Sequence, residues 1–201
     1  MMLRRLIILL ALVGAIAGVQ SATAANSPNL RLDYSLPDPT PGRTDSDIAF
    51  WGNIGVAGNY DGFRVFNTST RQQLVSYLCR GPQNDVSLWE HNGRLLLFQS
   101  IDTPQTNGET VCSQDHLSDT TACGPPTCFE GIRIFDLTTP SAPIYVKGVH
   151  TDCGSHTHTL VPDPSNNRLL LYVSSYPVQT GPRCQQPHAK ISIVSVPLDA
   201  P

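Results

Sequence analysis

The sequence predicts an all-β chain built from repeated four-stranded antiparallel units, and three observations carry that prediction. Charged residues make up 14% of the 201 residues, while Gly (15) and Pro (17) are plentiful, a balance that suits short strands joined by turns. Runs such as Leu95-Leu96-Leu97-Phe98 and Ile132-Arg133-Ile134-Phe135 are apolar at alternate or all positions, as strands buried between neighbouring sheets should be. The third observation is self-similarity. Tyr60-Asp61-Gly62-Phe63-Arg64-Val65-Phe66-Asn67 matches Phe129-Glu130-Gly131-Ile132-Arg133-Ile134-Phe135-Asp136 in residue type, and Ala189-Lys190-Ile191-Ser192-Ile193-Val194-Ser195 is a degenerate third copy.

The N-terminus has a different character. Met1-Met2-Leu3-Arg4-Arg5 is a basic head, residues 6–19 are apolar, and Ala22 and Ala24 form an Ala-x-Ala cleavage pattern, so residues 1–24 read as a secretory signal peptide. The apolar run falls short of the ~20 residues that an anchor needs, which predicts no membrane span after cleavage. Removing the leader leaves 11 Lys and Arg against 16 Asp and Glu, a net charge near −5 without any basic stripe. Nucleic acid is therefore excluded as a natural partner. Export also implies an oxidising compartment, in which Cys79, Cys112, Cys123, Cys128, Cys153 and Cys184 are expected to form disulfides. Their spacing lacks the paired short intervals of zinc frameworks.

In chain order, residues 25–44 are an extended Pro-rich leader, and 45–201 hold the repeats. The first unit predicts strands over 47–51, 54–59, 62–67 and 73–79, the second over 85–90, 94–100, 131–137 and 144–150, and the third over 156–161, 168–175 and 190–196. Four antiparallel strands per unit, repeated, define a β-propeller, with about two and three-quarter blades present; a β-sandwich is the competing arrangement. Closure needs at least about four blades. A chain truncated at Pro201 is therefore expected, with closure by oligomers as the alternative.

The Asp61-Gly62-Phe63-Arg64-Val65-Phe66-Asn67 stretch, and the run from Glu130-Gly131-Ile132-Arg133 through Thr139-Pro140-Ser141-Ala142-Pro143, resemble the LVIVD repeat of secreted bacterial β-propeller proteins. The usual form there is a Gly and apolar strand ending in Asp, followed by a Ser/Thr-Pro-x-x-Pro turn. The resemblance covers 45–201 and implies a secreted or surface-associated scaffold, without implying a reaction.

Propeller geometry then places both long insertions, 101–128 and 176–188, on one face, together with all six cysteines. Cys153 with Cys184 is the expected pair between neighbouring loops, and two of Cys112, Cys123 and Cys128 are expected to pair within their insertion, leaving the third for Cys79. The candidate chemistry is concentrated in Cys153-Gly154-Ser155-His156-Thr157-His158. Alternate strand residues share a face, so His156 and His158 can point together. Aligning the units puts Asp47, Asp85 and His158 at one place near the start of the inner strand. His156, His158, Asp85 and Asp47 are therefore the candidate metal ligands, with zinc or copper suited to the imidazoles and calcium to the acids around Asp45. The opposing expectation is that these groups hydrogen-bond loops and turns. Two function classes follow: a scaffold binding a protein or small-molecule ligand through its disulfide-tied face, or a copper- or zinc-dependent oxidoreductase or hydrolase using His156 and His158. No catalytic residue is assigned. Arg64 and Arg133 recur in the motif and are expected to pair with acids between blades.

Overall fold

The computed structural model describes residues 30, 32–40, 42–82, 85–106, 128–177, 180–181 and 184–201, with backbone alone at 104–106 and 128. The expected signal peptide over 1–24, Cys112 and Cys123 lie outside the described residues. The chain forms two compact units, Met1–Pro37 and Asp38–Pro201. In the first, the described residues 30 and 32–37 form neither helix nor strand.

The second unit is all-β. Its strands are β1 (Asp45–Trp51), β2 (Ile54–Asn59), β3 (Gly62–Asn67), β4 (Gln72–Leu78), β5 (Val86–His91), β6 (Arg94–Thr106), β7 (Cys128–Asp136), β8 (Ile144–His150), β9 (Thr157–Asp163), β10 (Arg168–Ser174) and β11 (Ser192–Pro197). Among the described residues the helical content is a 3-10 turn, Pro164–Asn166. Three antiparallel sheets result, ordered β1-β2-β3-β4, β5-β6-β7-β8 and β11-β10-β9. No closed ring forms among the described residues. The strands match the sequence expectation closely, with one extension: β6 and β7 run on into the first insertion, where Gln105 pairs with Phe129 and Thr106 with Cys128 beyond an irregularity after Ile101.

Local chemistry explains the turns and the repeat. Asn92 and Gly93, at φ 52° and 80°, make the two-residue β5–β6 hairpin, whose positive dihedrals match the twist of the flanking strands. Gly62 and Gly131 anchor the repeated motif at φ 146° and 132°, and a Cβ there would meet Tyr77 O at 2.0 Å or Val149 O at 2.2 Å. The last strand of each four-stranded sheet passes too close for any side chain, so the motif needs Gly at that point.

The sheets stack through two hydrophobic layers. Between the first and second lie Val56, Phe63, Val65, Leu88, Leu95, Leu97 and Phe135. Between the second and third lie Leu96, Phe98, Ile134, Leu169, Leu171, Val173 and Val194. Leu95 and Leu97 thus face one layer and Leu96 and Phe98 the other, which is why this strand is apolar at every position. Phe63 stacks on Tyr77 at 5.0 Å and meets Phe135 edge-on at 5.0 Å. Trp51 and Trp89, on the edge strands β1 and β5, meet with centroids 5.6 Å apart.

The recurring arginines are both buried and engaged. Arg64 pairs with Asp38 and Asp45, both at 3.4 Å. Arg133, wholly buried, reaches across to the first sheet and donates to the Arg80 carbonyl at 2.8 Å.

Leu97→Ala is expected to cost about 2–5 kcal/mol in urea denaturation, as buried Leu truncations do. Leu170→Ala, half-buried on the open side of the third sheet, is expected to cost about 1 kcal/mol or less. Equal losses would contradict the one-sided burial of that sheet.

Candidate functional site

Ladder register identifies equivalent residues in the three sheets. Ile48 stands opposite Ala57, Val86 opposite Gln99, and His158 opposite Val173. Those partners in turn face Arg64, Arg133 and Ser192, which share one place in the repeated motif. Ile48, Val86 and His158 are therefore equivalent. Asp47 and Asp85 each come one residue earlier, a place that Thr157 fills in the third sheet. The sequence alignment that set His158 level with the two acids is thus shifted by one: the imidazole occupies a valine's place.

The acids have a clear structural use. β1, β5 and β9 are edge strands, so alternate N–H groups on them point away from their own ladder. Asp47 Oδ2 accepts from Val86 N at 3.2 Å, and Asp85 Oδ2 accepts from His158 N at 2.6 Å. Each carboxylate therefore ties its sheet to the equivalent residue of the next. Burial pushes the Asp47 carboxyl above its usual value, helped by the hydrogen bond with Asp85. Burial acts on Asp85 as well, but the hydrogen bonds and charge of His158, with the hydrogen bond from Asp47, outweigh it and hold this carboxyl below the usual range.

His158 is the hub of a buried polar cluster. Its Nε2 lies 2.6 Å from Ser87 Oγ, and its Nδ1 lies 2.8 Å from Ser100 Oγ and 3.1 Å from Asp85 Oδ2. Ser100 Oγ continues to Ser155 Oγ at 2.7 Å. Asp85, His158 and Ser87 have the connectivity of a hydrolase triad. Here, however, the imidazole side chain is 0% exposed, with both nitrogens engaged by hydroxyls of the neighbouring sheet. The cluster is an inter-sheet clamp, since a buried imidazole requires such partners.

His156 is placed differently. It precedes β9, and its Nδ1 lies 3.3 Å from Asp102 Oδ2, with side-chain exposures of 32% and 5%. Its ring meets Tyr176 at 4.8 Å. Burial raises the Asp102 carboxyl, and the hydrogen bonds from His156 and Thr103 do not overcome that effect. If Nδ1–H donates to Asp102, Nε2 keeps a lone pair on a one-third exposed ring.

The backbone under His156 is firmly held. Cys153 and Gly154 take φ 61° and 67°. A Cβ on Gly154 would meet Asp102 O at 2.5 Å and Ile101 O at 2.7 Å. Thr151 Oγ1 donates to Gly154 O at 2.5 Å, Ser155 N to Ile101 O at 2.9 Å, and His156 N to Ser174 O at 3.0 Å. The Cys153–Cys184 disulfide, with Cα atoms 4.6 Å apart, ties this turn to the second insertion. That pairing is the one expected from sequence. Cys79 is also disulfide-bonded. Beside the disulfide, His188 bridges Cys153 Sγ at 3.4 Å and Ser175 Oγ at 3.0 Å, and Lys190 pairs with Asp152.

The four candidate ligands therefore separate. Asp47, Asp85 and His158 form one hydrogen-bonded series between sheets, while His156 pairs with Asp102. Among the described residues, no group of three or more His, Cys, Asp or Glu could hold a metal ion. Sequence reasoning missed Ser87, Ser100, Ser155 and Asp102. Ser155 adjoins the histidines, but the others lie on strands 54 or more positions away.

No protein family and no curated protein matches the chain. Among solved structures it is similar to the computationally designed Ika4 protein, at 15% identity over 79% of this chain and 94% of that one, with a TM-score of 0.34. Likeness at that level bears on neither fold nor function. Among the described residues, no helix is long and apolar enough to cross a membrane.

A carboxyl held low stabilises the fold fully above its unfolded pKa, near 4, and that contribution is lost as pH falls through the lower folded value. Asp85→Asn is accordingly expected to cost about 1–3 kcal/mol near neutral pH. The gap to the parent protein should narrow as pH falls below about 4. Urea titrations across the acid range check this, and a gap that widens on acidification would contradict it.

Proposed function

We propose that the three sheets are successive blades of a β-propeller, and that the exported protein is a scaffold binding a ligand or partner through the face carrying His156, Tyr176 and the Cys153–Cys184 disulfide. The meander order within each sheet, the recurring Gly-centred motif, and the adjacency of β1 to β5 and of β5 to β9 support the blade reading. The LVIVD-like motif supports export and the scaffold class.

The observation that carries the binding reading is the His156–Asp102 pair. A carboxyl raised by burial destabilises the folded state at neutral pH, where it must be charged. A fold that keeps such a group beneath a part-exposed imidazole gives up stability at that point, which is how functional positions commonly differ from structural ones. The rigid turn from Cys153 to His156 holds the ring in place, and Tyr176 adds an aromatic surface that suits recognition. The metal-dependent alternative is weaker. His158 cannot offer a nitrogen to a metal without losing Ser87 or Ser100, and among the described residues no group of three or more His, Cys, Asp or Glu could hold a metal ion.

Because the Asp102 carboxyl is raised, its favourable contribution is present below the unfolded pKa and is lost as pH rises through the folded value. Asp102→Asn is expected to raise stability at neutral pH while weakening binding. A photoreactive side chain in place of Tyr176, in cells exporting the protein, is expected to capture a partner in a yield that falls on His156→Ala. No adduct, or one indifferent to His156, would sink the binding face. Stoichiometric zinc or copper in the purified protein, lost on His156→Ala, would instead favour the metal reading.

A further inference from the structure

The two outer faces of the stack carry apolar residues at positions that are buried elsewhere in the same molecule. Register makes the comparison direct. On the free face of the third sheet, Val161 pairs with Leu170, and Tyr172 with Ile193. In the second sheet the same places are Trp89 with Leu96, and Phe98 with Ile134, the side that packs onto the third sheet. Phe98 and Ile134 are 0% and 2% exposed, whereas Tyr172 and Ile193 are 36% and 57% exposed.

The free face of the first sheet shows the complementary surface. Phe50 and Phe66 lie on either side of Gly55, the places held in the second sheet by Leu88, Phe135 and Leu97. Ile48 stands at the place of Val86. Leu88 and Val86 are 7% and 4% exposed, whereas Phe50 and Ile48 are 54% and 50% exposed. Gly55 leaves the hollow into which Phe50 and Phe66 lean, meeting each other edge-on at 6.0 Å.

One end of the stack thus presents the kind of surface that faces forward at the internal interface, and the other end presents the kind that receives it. Charge does not oppose their contact. Arg64 is paired with Asp38 and Asp45 on the first face, and Arg168 with Asp163 at 2.7 Å on the last. We propose that the third sheet of one copy packs on the first sheet of a second copy, front to back, continuing the internal stacking between chains. The occupant is a second copy because the matching half of the interface is this chain's own opposite end. The contact rests on register and burial. Its closure into a two-copy ring rests on the propeller reading above, since head-to-tail contacts give rings only when the rotation closes and filaments otherwise.

Phe50→Lys and Ile193→Lys alter exposed side chains, so both variants should fold, which an unchanged far-ultraviolet circular dichroism spectrum would check. In sedimentation velocity of the secreted protein over a wide concentration range, the parent is expected to reach the dimer. Each variant alone is expected to shift to the monomer. Mixed together, the two should recover a dimer, because the intact third sheet of the Phe50→Lys chain meets the intact first sheet of the Ile193→Lys chain. A monomeric parent overturns the contact. A dimer surviving either variant alone overturns the front-to-back arrangement. A parent series growing beyond the dimer upholds the contact and overturns ring closure, separating the failure of the propeller reading from that of the interface.

Discussion

The stack depends on one recurring interaction: in each of the first two sheets a carboxylate near the start of the first strand accepts the backbone N–H of the equivalent residue in the next sheet. Asp47 does this for Val86 and Asp85 for His158. An edge strand leaves alternate N–H groups without ladder partners, and such groups are costly if buried unmet. A short acid supplied by the neighbour satisfies the group and fixes how far one sheet is displaced along the other. The layers of Leu95, Leu97 and Phe135 on one side, and Leu96, Phe98 and Ile134 on the other, can interdigitate only at that displacement. Charge-assisted bonds of this kind are stronger than neutral ones, so a few acids can position whole sheets.

The third sheet departs from this pattern in two linked ways. Its acid position is Thr157, and its counterpart of Val86 is His158. Replacing a buried valine by an imidazole removes an apolar contact and introduces two ring nitrogens that must be met. Ser87 on β5 and Ser100 on β6 meet this need, and Ser155, in the turn before β9, bonds Ser100 in turn. The interface between the second and third sheets is therefore hydrophobic across its width and polar at the start of β9. Between the first and second sheets the same place is filled by Val86 within the apolar layer.

Much of the fold was legible because it rests on local chemistry that repeats. Turn residues at Asn92-Gly93, the Gly required at 62 and 131, and apolar runs of strand length place nearly every strand. The chemistry of the site was less legible because it is assembled from distant residues. The two-residue spacing of His156 and His158 suggested a shared direction, but β9 begins at Thr157, so His156 lies outside the strand and follows its turn. Its partner Asp102 falls beyond the expected end of β6. Only the continuation of that strand past Ser100 brings it beneath the imidazole. Metal ligation was a reasonable expectation from residue types alone, since hydroxyls on other strands, which compete for the same nitrogens, leave no mark beside the histidines.

Comparison of the two histidine–carboxylate pairs shows how the same residue types come to differ. Asp85 and Asp102 are both drawn upward by burial. Around Asp85 the opposing hydrogen bonds win: the imidazole, the backbone of His158 and the Asp47 side chain all favour the charged form, and the pair strengthens the interface. Around Asp102 they do not, although His156 and Thr103 both contribute. The difference lies in the imidazoles. His158 is enclosed and held by hydroxyls at both nitrogens, whereas His156 keeps about a third of its surface in solvent and meets its acid at one nitrogen. A surrounding medium of higher dielectric weakens that charge contact, while the carboxylate still bears the cost of burial. One pair therefore serves the fold at neutral pH, and the other works against it.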